Sequence, residues 1–350
     1  FRLDAVPYLI EAEGTNCENL PGTHKILKQL RAMVDEEYPG RILLCEANQW
    51  PDDVVEYFGN GDECQMAFHF PVMPRLYMGL RRGSRECISE ILAHTPQIPD
   101  GCQWGTFLRN HDELTLEMVT EEDRHYMWEE YAPESRWRCN LGIRRRLSPL
   151  VDNDDAKIRL LNAMLLSLPS SPVLYYGDEI GMGDDPWLPD RDGVRTPMQW
   201  DDSETAGFST ALPEDFHLPL IRTFGHDPEH VNVARQMGDP SSLLVWTRAM
   251  LGIRRHHPVF GTGEFTDLGG PDMAVMSFLR HNEHETVLCL ANLSDTERTV
   301  ALHLPQFAGV AGSSLIHGQD AQPVKADGTL SVPLWPYGYR WLQMSGEERS

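Results

Sequence analysis

The sequence lacks any apolar run that approaches the roughly 20 residues needed to span a bilayer, and we find no signal-peptide pattern. Positive charge is also scarce, since 30 Lys and Arg stand against 53 Asp and Glu, a net charge of -23. Such a charge disfavours binding to polyanions and anionic lipids, so we expect no nucleic-acid partner and no membrane partner. The remaining expectation is a neutral small-molecule substrate.

The seven cysteines form neither a CxxC pair nor a metal-ligand spacing. An odd number of thiols scattered through a large chain is typical of reduced, intracellular proteins, so we expect a cytoplasmic protein. The sequence also has no internal repeat and no low-complexity linker. Its 350 residues suffice for one large hydrophobic core and a smaller second domain.

Residues 1–257 alternate short apolar strands with helical segments, the pattern of a parallel α/β barrel. Apolar residues recur at helical spacing up to Glu37, and Thr23 is expected to cap that helix. Further helices are predicted over 75–80, 84–93, 156–168 and 243–256. The segment 117–149 is rich in Arg, Glu and aromatic residues and follows a strand end, so it could form a lid over the barrel mouth.

The pattern changes after residue 257, where short alternating strands are separated by Gly, Asp and Pro turns. The predicted strands cover 273–280, 286–292, 299–304, 330–334 and 338–344. Such strands predict an antiparallel β-sandwich, so residues 258–350 are expected to form a second domain.

Three predicted strands end in carboxylates. Arg2 and Asp4 lie two residues apart and therefore project from one face, where the guanidinium is expected to keep the carboxylate charged, as suits a nucleophile. Glu46 follows the apolar run 42–44, and burial there would raise its pKa, as suits a proton donor. Asp112 stands beside His111 at the third strand end. Taken alone, the first pair is also explained as a surface ion pair.

The order of these motifs resembles a known family. FRLDAV, LLCEANQW and FLRNHDE resemble, in sequence, three short stretches of the alpha-amylase family of glycoside hydrolases and transglycosylases. LPSSPVLYYGDEIGM and DRDGVRTPMQWD resemble its alpha-glucosidase and trehalose synthase branch. NLGIRRRL, CQMAFHFPVMPRLYM and DPSSLLVWTRAMLGIRRHHPVFG resemble the trehalose synthase members, and the likeness extends to about residue 344.

The resemblance implies an α/β fold in which the C-terminal part of a (β/α)8 barrel is followed by an antiparallel β-sandwich domain. It also implies that Asp4 is the nucleophile, Glu46 the acid/base and Asp112 the stabiliser of the transition state. Arg2 and His111 would donate hydrogen bonds to the sugar or to a carboxylate. Related enzymes have about half a barrel upstream, so we expect this chain to be the later part of a longer one and to be inactive alone.

The implied reaction is intramolecular glucosyl transfer that interconverts maltose and trehalose, and a second sugar site must hold the released glucose away from water. The candidates for that site are Tyr8, Asn48, Glu113 and Glu117; the less favoured alternative is that Asn48 and Glu117 are ordinary loop residues without a function. Arg191, Asp192 and Arg195 are expected to rim the pocket, although a loop-fixing salt bridge explains them equally well.

The resemblance also implies a structural calcium ion. The matching positions are Tyr8 and Leu9, through their backbone carbonyls, and Glu11. Oxygen ligands suit this hard cation, but the other ligands would lie upstream.

Two further readings of the function stay open. A retaining alpha-glucosidase that hydrolyses α-1,4 or α-1,6 glucosides would use the same three carboxylates. A non-enzymatic scaffold or partner-binding module is the third alternative. The sequence leaves the oligomeric state undecided, and a homo-oligomer is compatible with it.

Overall fold

A computed structural model describes residues 1–316 and 318–344, and its first part is built on parallel strands. The strands before residue 260 are β1 (Arg2–Leu3), β2 (Leu44–Cys45), β3 (Met66–Phe68), β4 (Gln103–Phe107), β5 (Arg138–Cys139), β6 (Gly142–Ile143) and β7 (Ser171–Val173). Within the described residues, β1, β2, β3, β4 and β7 pair in that order, all parallel. Parallel strands place their carboxyl ends at one edge, and the site residues follow those ends.

Helices connect and cover these strands. They are α1 (Pro21–Glu37), α2 (Pro51–Val54), α3 (Val72–Arg82), α4 (Glu86–Ala93), α5 (Glu121–Tyr131), α6 (Leu147–Leu150), α7 (Asp155–Ser167), α8 (Val233–Met237), α9 (Leu243–His256) and α10 (Val259–Thr262). The start predicted for α1 is wrong: Leu20 is its N-cap, and Thr23 lies buried inside the helix. Pro21 explains the difference, because proline has no N–H to lose in the first turn and its fixed φ already suits a helix.

Two other long helices predicted from apolar spacing, α7 and α9, begin at true capping residues. The Asp154 carboxylate accepts hydrogen bonds from the N–H groups of residues 156 and 157 at the start of α7. The Ser242 hydroxyl accepts one from the N–H of Val245 at the start of α9. Each bond satisfies an N–H group that the first helical turn leaves without a partner, which fixes where the helix begins.

The segment 117–149 forms α5, the β5–β6 hairpin and α6. Leu114, just beyond Asp112, pairs with Ile143 of the hairpin in an isolated antiparallel bridge. The segment therefore lies at the carboxyl edge of the parallel sheet, where the site residues are. Its function as a lid stays a prediction.

Two antiparallel sheets follow. Their strands are β8 (Glu264–Asp267), β9 (Val275–His281), β10 (Thr286–Asn292), β11 (Arg298–His303), β12 (Ser313–Ser314), β13 (Thr329–Leu334) and β14 (Tyr339–Gln343). One sheet has the order β12-β14-β10-β9-β8, and β11 pairs with β13 in the other. Val275 and Leu288 of the first sheet share a buried cluster with Val300 and Val332 of the second, so the two faces pack as a sandwich.

The barrel part and the sandwich share one hydrophobic core. Leu161 and Leu165 of α7 belong to the same buried cluster as Phe278 of β9 and Trp341 of β14. Trp341 is 1% exposed, and its ring centroid lies 4.6 Å from that of Phe260 in α10. The predicted fold class is thus confirmed, whereas the predicted division at residue 257 stays a prediction. No helix among the described residues has the length and apolarity needed to cross a membrane.

Candidate active site

The ends of β1 and β2 bring Asp4 and Glu46 to the same edge of the sheet. Leu3 lies beside Cys45 in the parallel register, and the N–H of Glu46 donates to the carbonyl of Leu3 at 3.1 Å. Each carboxylate is the first residue after its strand. Ala5 then adopts a left-handed conformation with φ 45°, and the chain turns directly into a 3-10 helix over Val6–Leu9.

One guanidinium nitrogen contacts both carboxylates. Nη2 of Arg2 lies 3.0 Å from Oδ1 of Asp4 and also donates a hydrogen bond to Oε2 of Glu46. Two oxygens that contact one nitrogen at hydrogen-bonding distance lie within about 6 Å of each other. Inverting pairs of catalytic carboxylates are roughly 6.5–9.5 Å apart, whereas retaining pairs are roughly 5–5.5 Å apart. The two carboxyl groups therefore lie closer to each other than an inverting pair does.

The two carboxyl groups lie in different surroundings. The Glu46 side chain is 17% exposed, while that of Asp4 is 76% exposed. Burial raises the pKa of Glu46 to about 7, and a hydrogen bond with Asp4 acts in the same direction, although the Arg2 charge opposes both. A carboxyl group with this pKa is about half protonated at neutral pH and can donate a proton.

Asp112 is held by two guanidinium groups. Its Oδ1 accepts a hydrogen bond from Nη2 of Arg195 at 2.8 Å and lies 3.2 Å from Nη1 of Arg191. Nε2 of His111 lies 3.3 Å from Oδ2. Burial lowers the pKa of His111, and the charges of Arg2 and Arg195 lower it further while Asp112 opposes them. A neutral His111 beside a fixed carboxylate can donate a hydrogen bond to a sugar hydroxyl without adding charge.

A second polar cluster lies next to this site. The amide nitrogen of Asn48 donates to Oε2 of Glu117 and, at 3.3 Å, to the hydroxyl of Thr115. Burial raises the pKa of Glu117, and the charge of Glu113 adds to that effect. The same neighbourhood contains Tyr8: its hydrogen bond with Glu18 raises the pKa of the phenol, and the charge of Glu117 adds to that effect.

The structure thus brings the four predicted second-site residues near one another. It also shows hydrogen-bond partners for two of them that sequence reasoning did not identify. Oε1 of Glu18 accepts a hydrogen bond from the Tyr8 hydroxyl at 2.9 Å, and the Asn140 amide donates to Oε1 of Glu113 at 2.7 Å. Ten residues separate Tyr8 from Glu18, so no local periodicity joins them; Asn140 lies in a tight hairpin turn with φ 50°.

Of the predicted rim residues, Arg191 and Arg195 contact Asp112 directly. Asp192 is the first residue of a short 3-10 helix, Asp192–Val194, and within the described part of the chain its carboxylate forms no ion pair with these arginines. The loop-fixing interpretation applies partly to Arg195, because its Nε donates to the carbonyl of His111 at 2.7 Å.

The predicted calcium positions do not form a site by themselves. Two carbonyls, from Tyr8 and Leu9, and the carboxylate of Glu11 supply far fewer than the six to eight oxygen ligands that calcium takes. Residues 1–316 and 318–344 contain no group of three or more His, Cys, Asp or Glu side chains that could hold a metal ion. Calcium binding stays a prediction, and no step of the chemistry below depends on it.

Two family models match the chain. The model for the alpha-amylase catalytic domain matches residues 127–263, and the model for the C-terminal domain of maltogenic amylase matches residues 269–341. Over these residues the chain is similar to alpha-amylase family domains. The catalytic-domain match covers residues 127–149 of the segment 117–149 and the loop that carries Arg191 and Arg195.

The curated proteins to which this chain is similar include trehalose synthases. The chain is 54% identical over 356 residues to the trehalose synthase/amylase TreS of Mycobacterium tuberculosis (strain CDC 1551 / Oshkosh), covering 99% of this chain and 59% of that protein. It is 55% identical over 360 residues to the trehalose synthase of Pimelobacter sp. (strain R48), covering 99% and 62%. The chain thus spans about three fifths of the length of these relatives.

A solved structure supports the fold. The trehalulose synthase MutB from Pseudomonas mesoacidophila MX-45 superposes with a TM-score of 0.67 at 22% identity, covering 98% of this chain and 64% of that one. At this identity the likeness establishes the fold and leaves the reaction to be argued from the site itself.

Proposed function

We propose that the complete product of this gene interconverts maltose and trehalose by intramolecular glucosyl transfer with retained configuration. The observation that carries the proposal is that one guanidinium nitrogen of Arg2 contacts two carboxyl groups that differ in burial, those of Asp4 and Glu46. The similarity to trehalose synthases supports the choice of substrate. Because the chain spans only part of those relatives, the reaction is assigned to the complete gene product.

The first step breaks the glycosidic bond of maltose. An oxygen of Asp4 attacks the anomeric carbon, the bond from that carbon to the bridging oxygen breaks, and the Glu46 proton moves to the leaving oxygen. The products are a glucosyl ester of Asp4 and one free glucose. Asp112, fixed by Arg195 and Arg191, would stabilise the positive charge that develops on the sugar ring.

The second step forms trehalose from the same two sugars. The free glucose turns, and its anomeric hydroxyl attacks the glucosyl carbon while the ester bond to Asp4 breaks and Glu46 takes the hydroxyl proton. Asn48, Glu117 and Glu113 would hold that glucose by hydrogen bonds as it turns. Their side chains are polar, adjacent and partly buried, which is the environment that a sugar requires.

Hydrolysis is the competing function, because water can replace the glucose in the second step. The 76% exposure of the Asp4 side chain favours access of water to its ester. Asp4, Glu46 and Asp112 serve both reactions equally, so the division between them depends on the second sugar site.

The test incubates the complete gene product with maltose and added ¹³C-glucose, with the products separated by chromatography. We expect trehalose with little free glucose, and no label in the trehalose, because the released glucose stays in the site. Glucose as the sole product would contradict the proposal and support an alpha-glucosidase. Residues 1–350 alone are expected to give no product, since β1 and β7 each pair on only one side within the described residues.

The second sugar site can be weakened by Glu117→Gln. We expect the share of glucose among the products to rise about threefold to tenfold, while the total turnover of maltose falls less than tenfold, because the change removes a carboxylate that accepts hydrogen bonds but leaves the catalytic carboxylates intact. Glu122→Gln, in the exposed first turn of α5, is the matched control and should leave the product ratio unchanged. An unchanged ratio in Glu117→Gln would remove Glu117 from the second sugar site.

A further inference from the structure

Three consecutive arginines, Arg144, Arg145 and Arg146, all bind the loop that leads to Arg191. The proposed mechanism does not use any of them. Arg146 is 0% exposed and donates to the carbonyl of Tyr176 at 2.6 Å, with its guanidinium 4.6 Å from the centre of the Tyr176 ring. Nε of Arg145 lies 3.0 Å from each oxygen of the Asp184 carboxylate, and the Asp184 side chain is 1% exposed. These hydrogen bonds from the charged side chains of the arginine run fix the loop at several points.

Arg144 binds the part of the loop nearest to Arg191. Its Nη1 donates to the carbonyls of Leu188 at 2.7 Å and Asp190 at 2.6 Å, and its Nη2 donates to that of Pro186 at 3.4 Å. Its Nε donates to the carbonyl of Arg136 at 2.6 Å, which ties the loop to the segment 117–149. The planar guanidinium offers five donors in a fixed arrangement, so one side chain can hold several carbonyls at once.

The loop itself is closed at its base. The N–H of Asp185 donates to the carbonyl of Gly193 at 3.0 Å. A Cβ atom at position 193 would lie 2.1 Å from the carbonyl oxygen of Asp185, so only glycine permits this approach. The guanidinium of Arg144 therefore binds carbonyls of a closed loop, and the residue that follows the last of these carbonyls is Arg191.

The arginine run is also tied to the segment that carries Asp112. Nε of Arg109, which is 1% exposed, donates to the carbonyl of Arg145 at 2.6 Å, and its Nη2 donates to that of Asp112 at 2.7 Å. The backbone of Asp112 and the loop that carries Arg191 are thus held by the same short segment. Arg191 in turn lies 3.2 Å from Asp112 and 3.6 Å from Glu113.

We propose that Arg144 is a positioning residue: by fixing the loop 186–190 it keeps Arg191 on Asp112 and Glu113, and so keeps the second sugar site closed to water. The inference deepens the proposed function and rests on it. Loss of the Arg144 guanidinium would free three carbonyls and let the loop carry Arg191 away, which would open the second sugar site and raise the share of the glucosyl ester that water attacks in place of the retained glucose.

The test is Arg144→Gln in the complete gene product, with Arg31→Gln as matched control. Nη1 of Arg31 likewise donates to two loop carbonyls, those of Gly61 at 2.9 Å and Glu63 at 3.1 Å, but away from the carboxylates. Hydrogen exchange reports on the loop whatever reaction is catalysed. We expect the amides of residues 188, 192, 194 and 195 to exchange at least about tenfold faster in Arg144→Gln and at the wild-type rate in Arg31→Gln.

Product analysis then separates positioning from mere stability. We expect the ratio of glucose to trehalose to rise at least about threefold in Arg144→Gln and to stay at the wild-type value in Arg31→Gln, with similar melting temperatures for the two variants. The inference would be overturned if the loop amides of Arg144→Gln exchanged at the wild-type rate. It would also be overturned if they exchanged faster while the product ratio stayed unchanged. If the wild-type protein makes no trehalose, the proposed function fails, and the exchange result still decides whether Arg144 holds the loop.

Discussion

Replacing Asp4 with asparagine is expected to lower the turnover of maltose by about 10⁴-fold or more. The amide keeps the size of the side chain and can still lie beside Arg2, but it cannot form the glucosyl ester on which both steps depend. Isomerisation and hydrolysis should therefore fall together, without a change in the product ratio. Initial rates of maltose consumption and of trehalose and glucose formation give this comparison.

The control for Asp4→Asn is Glu13→Gln, which removes an exposed carboxylate from the same loop. It should leave the rate within about twofold of wild type, as surface changes away from a site usually do. Substantial activity in Asp4→Asn, with the protein folded, would mean that another group attacks the sugar. The retaining assignment based on the Arg2 contacts would then be lost.

Glu46→Gln is expected to lower maltose turnover by about 10²- to 10⁴-fold, because the leaving sugar oxygen needs a proton. A glucoside with an acidic phenol as leaving group needs no such proton for the first step, so it should be cleaved with a much smaller loss. Asp4→Asn should lose activity on both substrates to the same extent. Comparing maltose with an aryl glucoside in the two variants therefore assigns the acid and the nucleophile separately.

The pH dependence of the wild-type rate follows from the same residue. Burial raises the pKa of Glu46 to about 7, and the protonated form is the one that donates. The rate should therefore fall as pH rises through about 7, by tenfold per pH unit above it. In Glu46→Gln this alkaline fall should disappear for the aryl glucoside. A fall that persists in the variant would assign the titration to another group.

The sequence predicted what depends on local pattern. Apolar spacing predicted α9, which the structure gives as Leu243–His256, and alternation predicted the strand Thr286–Asn292. It missed β12 (Ser313–Ser314), because two residues are too few to show alternation, and it missed β8. The carboxylates at the strand ends were found for a physical reason: parallel strands place their carboxyl ends at one edge, and Asp4 and Glu46 directly follow two of them.

What the sequence did not show were contacts between distant segments. Nothing in the run of arginines at 144–146 indicates that their partners lie about 40 residues further on, in the loop from Tyr176 to Asp190. The Arg2 contact to Glu46 also spans 44 positions; the sequence alone paired Arg2 with Asp4. Such pairings depend on how strands and loops are assembled, and charge patterns alone leave many partners open.

The central claim is that Asp4 forms a covalent bond to glucose while Glu46 supplies the proton. The most direct test is to treat the complete gene product with a 5-fluoroglucosyl fluoride, whose ester forms faster than it breaks down, and to locate the adduct by peptide mass spectrometry. The account predicts one glucosyl adduct on Asp4 and none in Asp4→Asn. An adduct on another side chain, or turnover of the reagent with no protein-bound sugar, would contradict it.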